Sequence, residues 1–368
     1  MLRKLVMLAL ALGACARAAD GCTLLGDSIE EASAVVDAEF NARFTREGPG
    51  WTGGDGTYSV RLPDGRTLWL FSDTFLGRVN PDGTRPPSSP LIHNSLVVQD
   101  GDTLTTLRGG SGDQPDSFFA DPEWDQWYWL YDATVEQSAD GAVLRVFLLR
   151  FVHRGSGVFG FAWVGTDLAT LSLPDLRVVD IQPVPADDGV AWGAALLEGP
   201  DYTYIYGTED LGADKYAHLA RAPKGGILGS WEYYAGPGED PWKDDPGASV
   251  RLLHGVANEY SVTPVNDGYL MITMDTRQAS SPDILAYESC QPEGPWRHAG
   301  VIYRAPEVGG NLFAYNAHAH PEFDGDGLLI SYNVNSREFW DLLNDASIYR
   351  PRFIRLPLPI PEGAPRQP

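Results

Sequence analysis

The chain has 368 residues, 43% hydrophobic and 21% charged, an ordinary globular balance with enough length for a sizeable core. Its formal net charge of −23 leaves none of the basic patches that a phosphate backbone requires, so nucleic acid is excluded as an expected partner. Gly 40 and Pro 28 are high, yet they fall between β-prone runs and form no low-complexity tract.

Residues 1–19 read as a signal peptide. Arg3-Lys4 supplies a positive start, and residues 5–12 form an apolar run too short to span a bilayer. Leu12-Gly13-Ala14-Cys15 follows; it resembles the lipobox of bacterial lipoproteins, which implies lipidation of Cys15 as the first residue of the mature chain. The alternative is plain secretion with cleavage near Ala18 or Ala19. Either route exports the protein, as a cell-surface or periplasmic lipoprotein or as a secreted one, and membrane attachment would come only through the lipid. Three cysteines occur; with Cys15 lipidated or removed, Cys22 and Cys290 remain as a candidate disulfide in an oxidising compartment. Residues 20–50 form an N-terminal extension expected to be partly helical, because residues 28–44 (SIEEASAVVDAEFNARF) place acids early and Arg43 late, as a helix dipole favours.

From residue 51 onward, helical periodicity gives way to short β-branched and aromatic runs separated by Gly, Pro, Asp and Asn. The stretch WTGGDGTYSVRLPDGRTLWLFSDTFLG, residues 51–77, is a hairpin: residues 57–62 alternate, Pro63-Asp64-Gly65 turns, and residues 67–71 return. Asp55 and Asp73 stand at its two ends, which antiparallel pairing brings to one side. Gly53, Gly54 and Gly56 leave the backbone beside Asp55 open to close approach. The runs recur with a period of about 50–65 residues, which suits propeller blades. They fall at 51–71 with 94–99 and 103–107; at 127–132, 143–151, 159–164 and 177–184; from 191 through 202–206 and 217–222 to 231–234; at 260–264, 269–275, 284–289 and 296–303; and at 314–323, 328–333 and 348–356. Five groups imply an all-β fold, a five-bladed β-propeller over residues 51–358 with a C-terminal tail at 359–368. A two-sheet sandwich is the competing reading.

The first strand of each group carries an unusual residue: Asp55, then Asp132, then Trp192-Gly193-Ala194, then Asn258-Glu259-Tyr260-Ser261, then Tyr315-Asn316-Ala317-His318-Ala319-His320. In a propeller those strands face the axis, so these residues converge on one concave surface. Asp55, Asp132 and Glu259 would bring three carboxylates to one channel mouth. Glycosidic hydrolysis needs one carboxyl that keeps its proton and one that is ionised, and mutual repulsion among close acids supplies the difference. Asp64, Asp82 and Asp326, beside Gly, read instead as turn formers. Asp73 reads equally as a second catalytic acid or as an acceptor for the next loop. His93, Asn94, Trp192, Asn316, His318 and Asn333 are candidate substrate contacts. His318 and His320 lack a third His or Cys at ligand spacing, so no metal site is expected. No cofactor is called for, and a channel calcium ion on Asp and carbonyl oxygens stays an open alternative. There is no G-x-S-x-G, Walker or H-E-x-x-H motif.

The runs GGDGTYSVRLPDGRTLWLFSDTFLG, HNSLVVQDG, WGAALLEGPDYTYIYG, NEYSVTP and YNAHAHPEF resemble a group of secreted bacterial proteins classed as a domain of unknown function. That group is related to five-bladed propeller glycoside hydrolases, and a branch of it is assigned endo-D-arabinanase activity. The resemblance implies Asp55 as base or nucleophile, Glu259 as acid and Asp132 as an orienting carboxylate. Glu259 lies in the fourth group, later than the acid of the better-known relatives, so Asp73 or Asp132 remains an alternative acid. The expectation is an exported, monomeric hydrolase of a polysaccharide, furanose-rich by the resemblance. A non-catalytic carbohydrate-binding propeller and a protein scaffold are its rivals.

Overall fold

The computed structural model describes Cys22 and residues 33–358, apart from 139, 140, 158, 187, 324 and 326. The signal segment, Cys15, residues 28–32 of the expected helix, Asp326 and the tail lie outside the described residues. Five antiparallel sheets form a five-bladed propeller. Blade one is Trp51–Arg61, Thr67–Leu76, Ser95–Asp100 and Thr103–Leu107, counted from the axis outward. Blade two is Gln126–Ser138, Gly141–His153, Phe161–Ser172 and Arg177–Pro183. Blade three is Val190–Glu198, Tyr202–Asp210, Lys215–Pro223 and Glu232–Tyr234, with two short strands, Trp242–Lys243 and Leu253–His254, added to it. Blade four is Tyr260–Val265, Gly268–Met274, Asp283–Ser289 and Arg297–Arg304.

Blade five departs from the periodic reading. Leu312–His320, Leu328–Ser336 and Pro351–Leu356 are its three inner strands, and its outermost strand is Val35–Val36 from the other end of the chain. Val35 pairs with Arg355 and Val36 with Ile354, so the N-terminal segment closes the ring. Within the stretch expected to be helical, the described residues form this strand and then the helix Ala38–Phe44. Two β-branched valines that donate to a sheet ladder are lost to the helix, and Asp37 caps it by accepting from the Phe40 amide at 3.0 Å. Glu39 and Arg43 occupy its first and last turns as the dipole favours.

The helix earns its place by what it buries. The Phe44 ring is fully buried, 4.8 Å from Trp69, 5.6 Å from Trp51 and 5.1 Å from Phe353. The first two partners belong to blade one and the third to blade five, so one side chain cements the seam where the circle meets itself. A second tie is the disulfide between Cys22 and Cys290, at the end of the third strand of blade four. Such a bond belongs to chains that fold in an oxidising, extracytoplasmic setting. No helix among the described residues is long and apolar enough to cross a membrane.

Truncating Phe44 removes the packing at the seam. Phe44→Ala is expected to cost about 3–5 kcal/mol, read as a fall in the urea midpoint at constant slope. A loss below about 1 kcal/mol would mean that the helix is an ornament on an independently closed ring.

Candidate functional site

The site begins as a defect in strand pairing. In blade one Gly54 pairs with Thr74 and Gly56 with Phe71, which leaves Asp55 bulged out opposite Ser72 and Asp73. Bulges re-aim side chains, and here both carboxylates turn towards the axis. Gly56 has φ +84°, a backbone conformation that suits glycine, and a Cβ there would stand 3.3 Å from the Ser72 nitrogen. The Asn333 amide pins the bulge by donating to the Gly54 carbonyl at 3.2 Å and to the Thr57 hydroxyl at 3.0 Å. Similar register breaks fall opposite Val146 and Leu148 in blade two, between Trp192 and Ala195 in blade three, and between Tyr315 and His318 in blade five.

Above these breaks lies a cavity of about 660 Å³. Asp55, Asp73, Asp210 and Glu259 line it with the amides of Asn258, Asn316 and Asn335. Its walls are aromatic: Trp129, Phe151, Phe161 and Trp163 from blade two, and Phe313, Tyr315, Phe339 and Tyr349 from blade five, the last two in the connection between its second and third strands.

Two tyrosines hold Asp55. Its Oδ2 accepts the Tyr315 hydroxyl at 2.8 Å and the Tyr349 hydroxyl at 2.9 Å, while its buried Oδ1 has no partner. Burial, then the Asp73 charge, push its carboxyl up to about 7, against the pull of the two hydroxyls. Asp73 Oδ1 accepts from Trp129 Nε1 at 2.8 Å and meets His93 Nδ1 at 3.1 Å. Glu259 sits on the loop before blade four. The Tyr131 and Thr208 hydroxyls hold that loop by donating to the Asn258 carbonyl, and the Asn258 amide donates to Asp210. Burial, with the Asp55 charge second, pushes the Glu259 carboxyl well above the ordinary range. Its Oε2 is buried without a hydrogen-bond partner, 3.7 Å from His318 Nε2, beyond hydrogen-bond length. Burial pulls the His318 imidazole down to about 3, so this neighbour is neutral.

The residues singled out in the sequence thus separate into two groups. Asp55, Asp73, Glu259 and Asn316 line the cavity, His93 braces Asp73 while its ring stacks on Trp127, and His318 stands behind Glu259 against the Tyr58 ring. Asp132 does not line it. Its carboxylate accepts the Ala133 and Leu196 amides, each at 2.8 Å, and so stitches blade two to blade three just past the blade-three register break. Burial first raises its pKa, to about 7. Asn94, fully buried, is spent on the Phe119 amide and on the Phe119 and Tyr128 carbonyls. Trp192 is fully buried with its indole on Asp188, and Asn333 serves the bulge. Among the described residues, no three His, Cys, Asp or Glu side chains are arranged to hold a metal ion.

The sequence places Tyr315 at the axis without a role, and it singles out neither Tyr349 nor Trp129. Tyr315 stands one residue before Asn316 on a strand already placed at the axis, so its position was available. Tyr349 lies in a loop at φ +66°, unusual for a bulky residue, and nothing local signals that it reaches Asp55.

A family model described as a domain of unknown function (DUF5005) matches residues 37–358. Among solved structures, a "putative hydrolase" from Bacteroides ovatus is similar at 24% identity with a TM-score of 0.75, over 88% of this chain and 89% of that one. A GH43_1 enzyme from Xanthomonas citri complexed with xylotriose is similar at 15% identity with a TM-score of 0.51, over 89% of this chain and 94% of that one. At these identities the likeness is one of fold. No curated protein sequence matches the chain.

The raised Asp55 carboxyl ties stability to pH. Between the ordinary value of 3.8 and about 7, the folded chain keeps a proton that the unfolded chain releases. Its contribution is therefore complete below the lower value and is lost as pH rises through the upper one. Asp55→Asn removes that loss, so its melting temperature relative to wild type should be higher at pH 8 than at pH 4.5, by the equivalent of about 1 kcal/mol or more. Equal differences at the two pH values in calorimetry would show that Asp55 is not held protonated.

Proposed function

Since the chain belongs to the DUF5005 family, a domain of unknown function, its chemistry has to be argued from the site, and we propose that it is an exported glycoside hydrolase acting on a polysaccharide. The observation that carries this reading is the buried Asp55–Glu259 pair, in which each carboxyl keeps one oxygen free of any partner. Glycosidic cleavage requires one carboxyl that delivers a proton and one that is ionised. Glu259, held protonated by burial and by the Asp55 charge, gives its proton to the leaving glycosidic oxygen as the C–O bond breaks.

Asp55 acts through Oδ1. Its other oxygen is occupied by two hydroxyl donors, which favour the ionised form. In an inverting reaction Oδ1 takes a proton from the attacking water; in a retaining one it bonds to the anomeric carbon and the adduct is then hydrolysed. Asp73 is the supporting carboxylate, fixed by Trp129 and His93 beside Asp55. Asp132 is given no chemical step, because amides of two blades occupy it. The xylotriose complex of the Xanthomonas citri enzyme belongs to that protein; it supports a sugar here only by way of the shared fold. The furanose-rich substrate and the lipid at Cys15 rest on the resemblances read in the sequence.

Hydrolysis of arabinan, galactan and fructan by wild type, Asp55→Asn and Glu259→Gln tests the reading. Wild type should release reducing sugar from at least one, and each variant should lose about 100-fold or more. Binding without hydrolysis by all three proteins would make this a carbohydrate-binding propeller instead.

Tyr349→Phe removes a hydrogen bond that favours ionised Asp55, so the Asp55 pKa rises. If ionised Asp55 is the working form, the acid limb of kcat/KM against pH moves to higher pH, with folding checked by melting temperature. An unmoved acid limb would show that Asp55 is not the group that must be ionised.

A further inference from the structure

Blade two is built longer than its neighbours on the cavity side. Its three inner strands have 13, 13 and 12 residues, against 11, 10 and 6 in blade one and 9, 9 and 9 in blade three. The extra length carries aromatic side chains. Trp129 packs 4.4 Å from Phe151 and 4.7 Å from Phe161. Phe161 and Trp163 alternate to one face of their strand, about 6.7 Å apart along it. The wall starts at the acid centre, because the Trp129 indole is bonded to Asp73. It ends at the hairpin turn, where Phe159 is 58% exposed.

From that turn the surface crosses to blade five. The Phe159 ring lies 6.1 Å from Phe313, and Phe313 lies 5.3 Å from Tyr315, the donor to Asp55. Two aromatic walls therefore rise from the carboxylates and meet at the rim. Buried rings alone would be core. Trp129, Phe161, Trp163 and Phe313 are only partly buried, and Phe159 is exposed. The lining residues include four carboxylates and neither Lys nor Arg. An acidic sugar would find no Lys or Arg among the lining residues to receive it. Sugar rings have apolar C–H faces and hydroxyl edges, which suit flat aromatic walls with a few convergent polar groups.

We propose that the blade-two hairpin and the facing edge of blade five form one cleft that grips several consecutive rings of an uncharged polysaccharide, so that the protein takes chains in preference to short glycosides. The cleavage of those chains rests on the hydrolase reading above; the gripping does not.

Retardation in native gels containing arabinan, galactan, fructan or polygalacturonate, with Asp55→Asn as the non-hydrolysing parent, tests the cleft. The parent should be retarded by at least one uncharged polymer and not by polygalacturonate. Adding Trp163→Ala or Phe159→Ala should weaken that retardation about tenfold, with the melting temperature unchanged for the exposed Phe159. In proteins with Asp55 intact, kcat/KM should rise with oligosaccharide length, and either substitution should flatten that rise mainly through KM. Unchanged retardation in both variants would overturn the proposal. So would equal loss on the longest and shortest substrates, retardation by polygalacturonate alone, or no retardation by any polymer. Lost retardation in the variants, with no hydrolysis even by wild type, would uphold the cleft and refute the hydrolase.

Discussion

A carboxylate taken out of water must be given donors, and the burial of Asp55 organises much of what surrounds it. Its two donors come from the inner strand of blade five and from the connection between that blade's second and third strands, so satisfying one acid fastens the last blade to the first. Tyr349 reaches it at φ +66°, a strained conformation for so large a residue, and persists there because its neighbours over-determine it. The buried Arg85 guanidinium donates to the Thr52 and Ala346 carbonyls, and Arg350 Nε donates to the Thr52 carbonyl at 2.9 Å. The fit is close enough that a Cβ on Gly53 would stand 2.4 Å from both Arg85 and the Tyr349 carbonyl oxygen. Glycine at 53 is thus a packing requirement of the site.

The same economy explains the ring. A propeller brings its inner strands together only if the circle closes, and closure here depends on residues far from the acids: Val35–Val36, Phe44 and the Cys22–Cys290 bond. Each ties an early segment to a late blade. The closed ring brings Asp55 of blade one and Glu259 of blade four to one cavity, where burial and the Asp55 charge raise the Glu259 carboxyl.

Several features of the site were open to a reader of the sequence. The Gly-Gly-Asp-Gly run marks a backbone that must bend and be approached closely, and Asp55 is the bulged residue there. Asn258-Glu259 precedes a strand without being a turn, and Glu259 does face the cavity. Asp132 also sits in a register break, that of blade two, yet its carboxylate turns to the Leu196 amide of blade three. A one-residue difference in pairing decides such cases, since successive residues of a strand point to opposite faces. The fourth strand of blade five was hidden for another reason: two valines at one end of the chain show no periodicity of their own.

The all-β class and the five-blade grouping were legible in the sequence alone, because alternation, turn residues and repeat length are local properties. Which acids share a cavity, which oxygens stay free, and that Tyr315 and Tyr349 meet on Asp55 were decided by the tertiary structure. Those facts depend on bulges and on ring closure, which set distances between residues far apart in the chain, and no local pattern encodes such a distance.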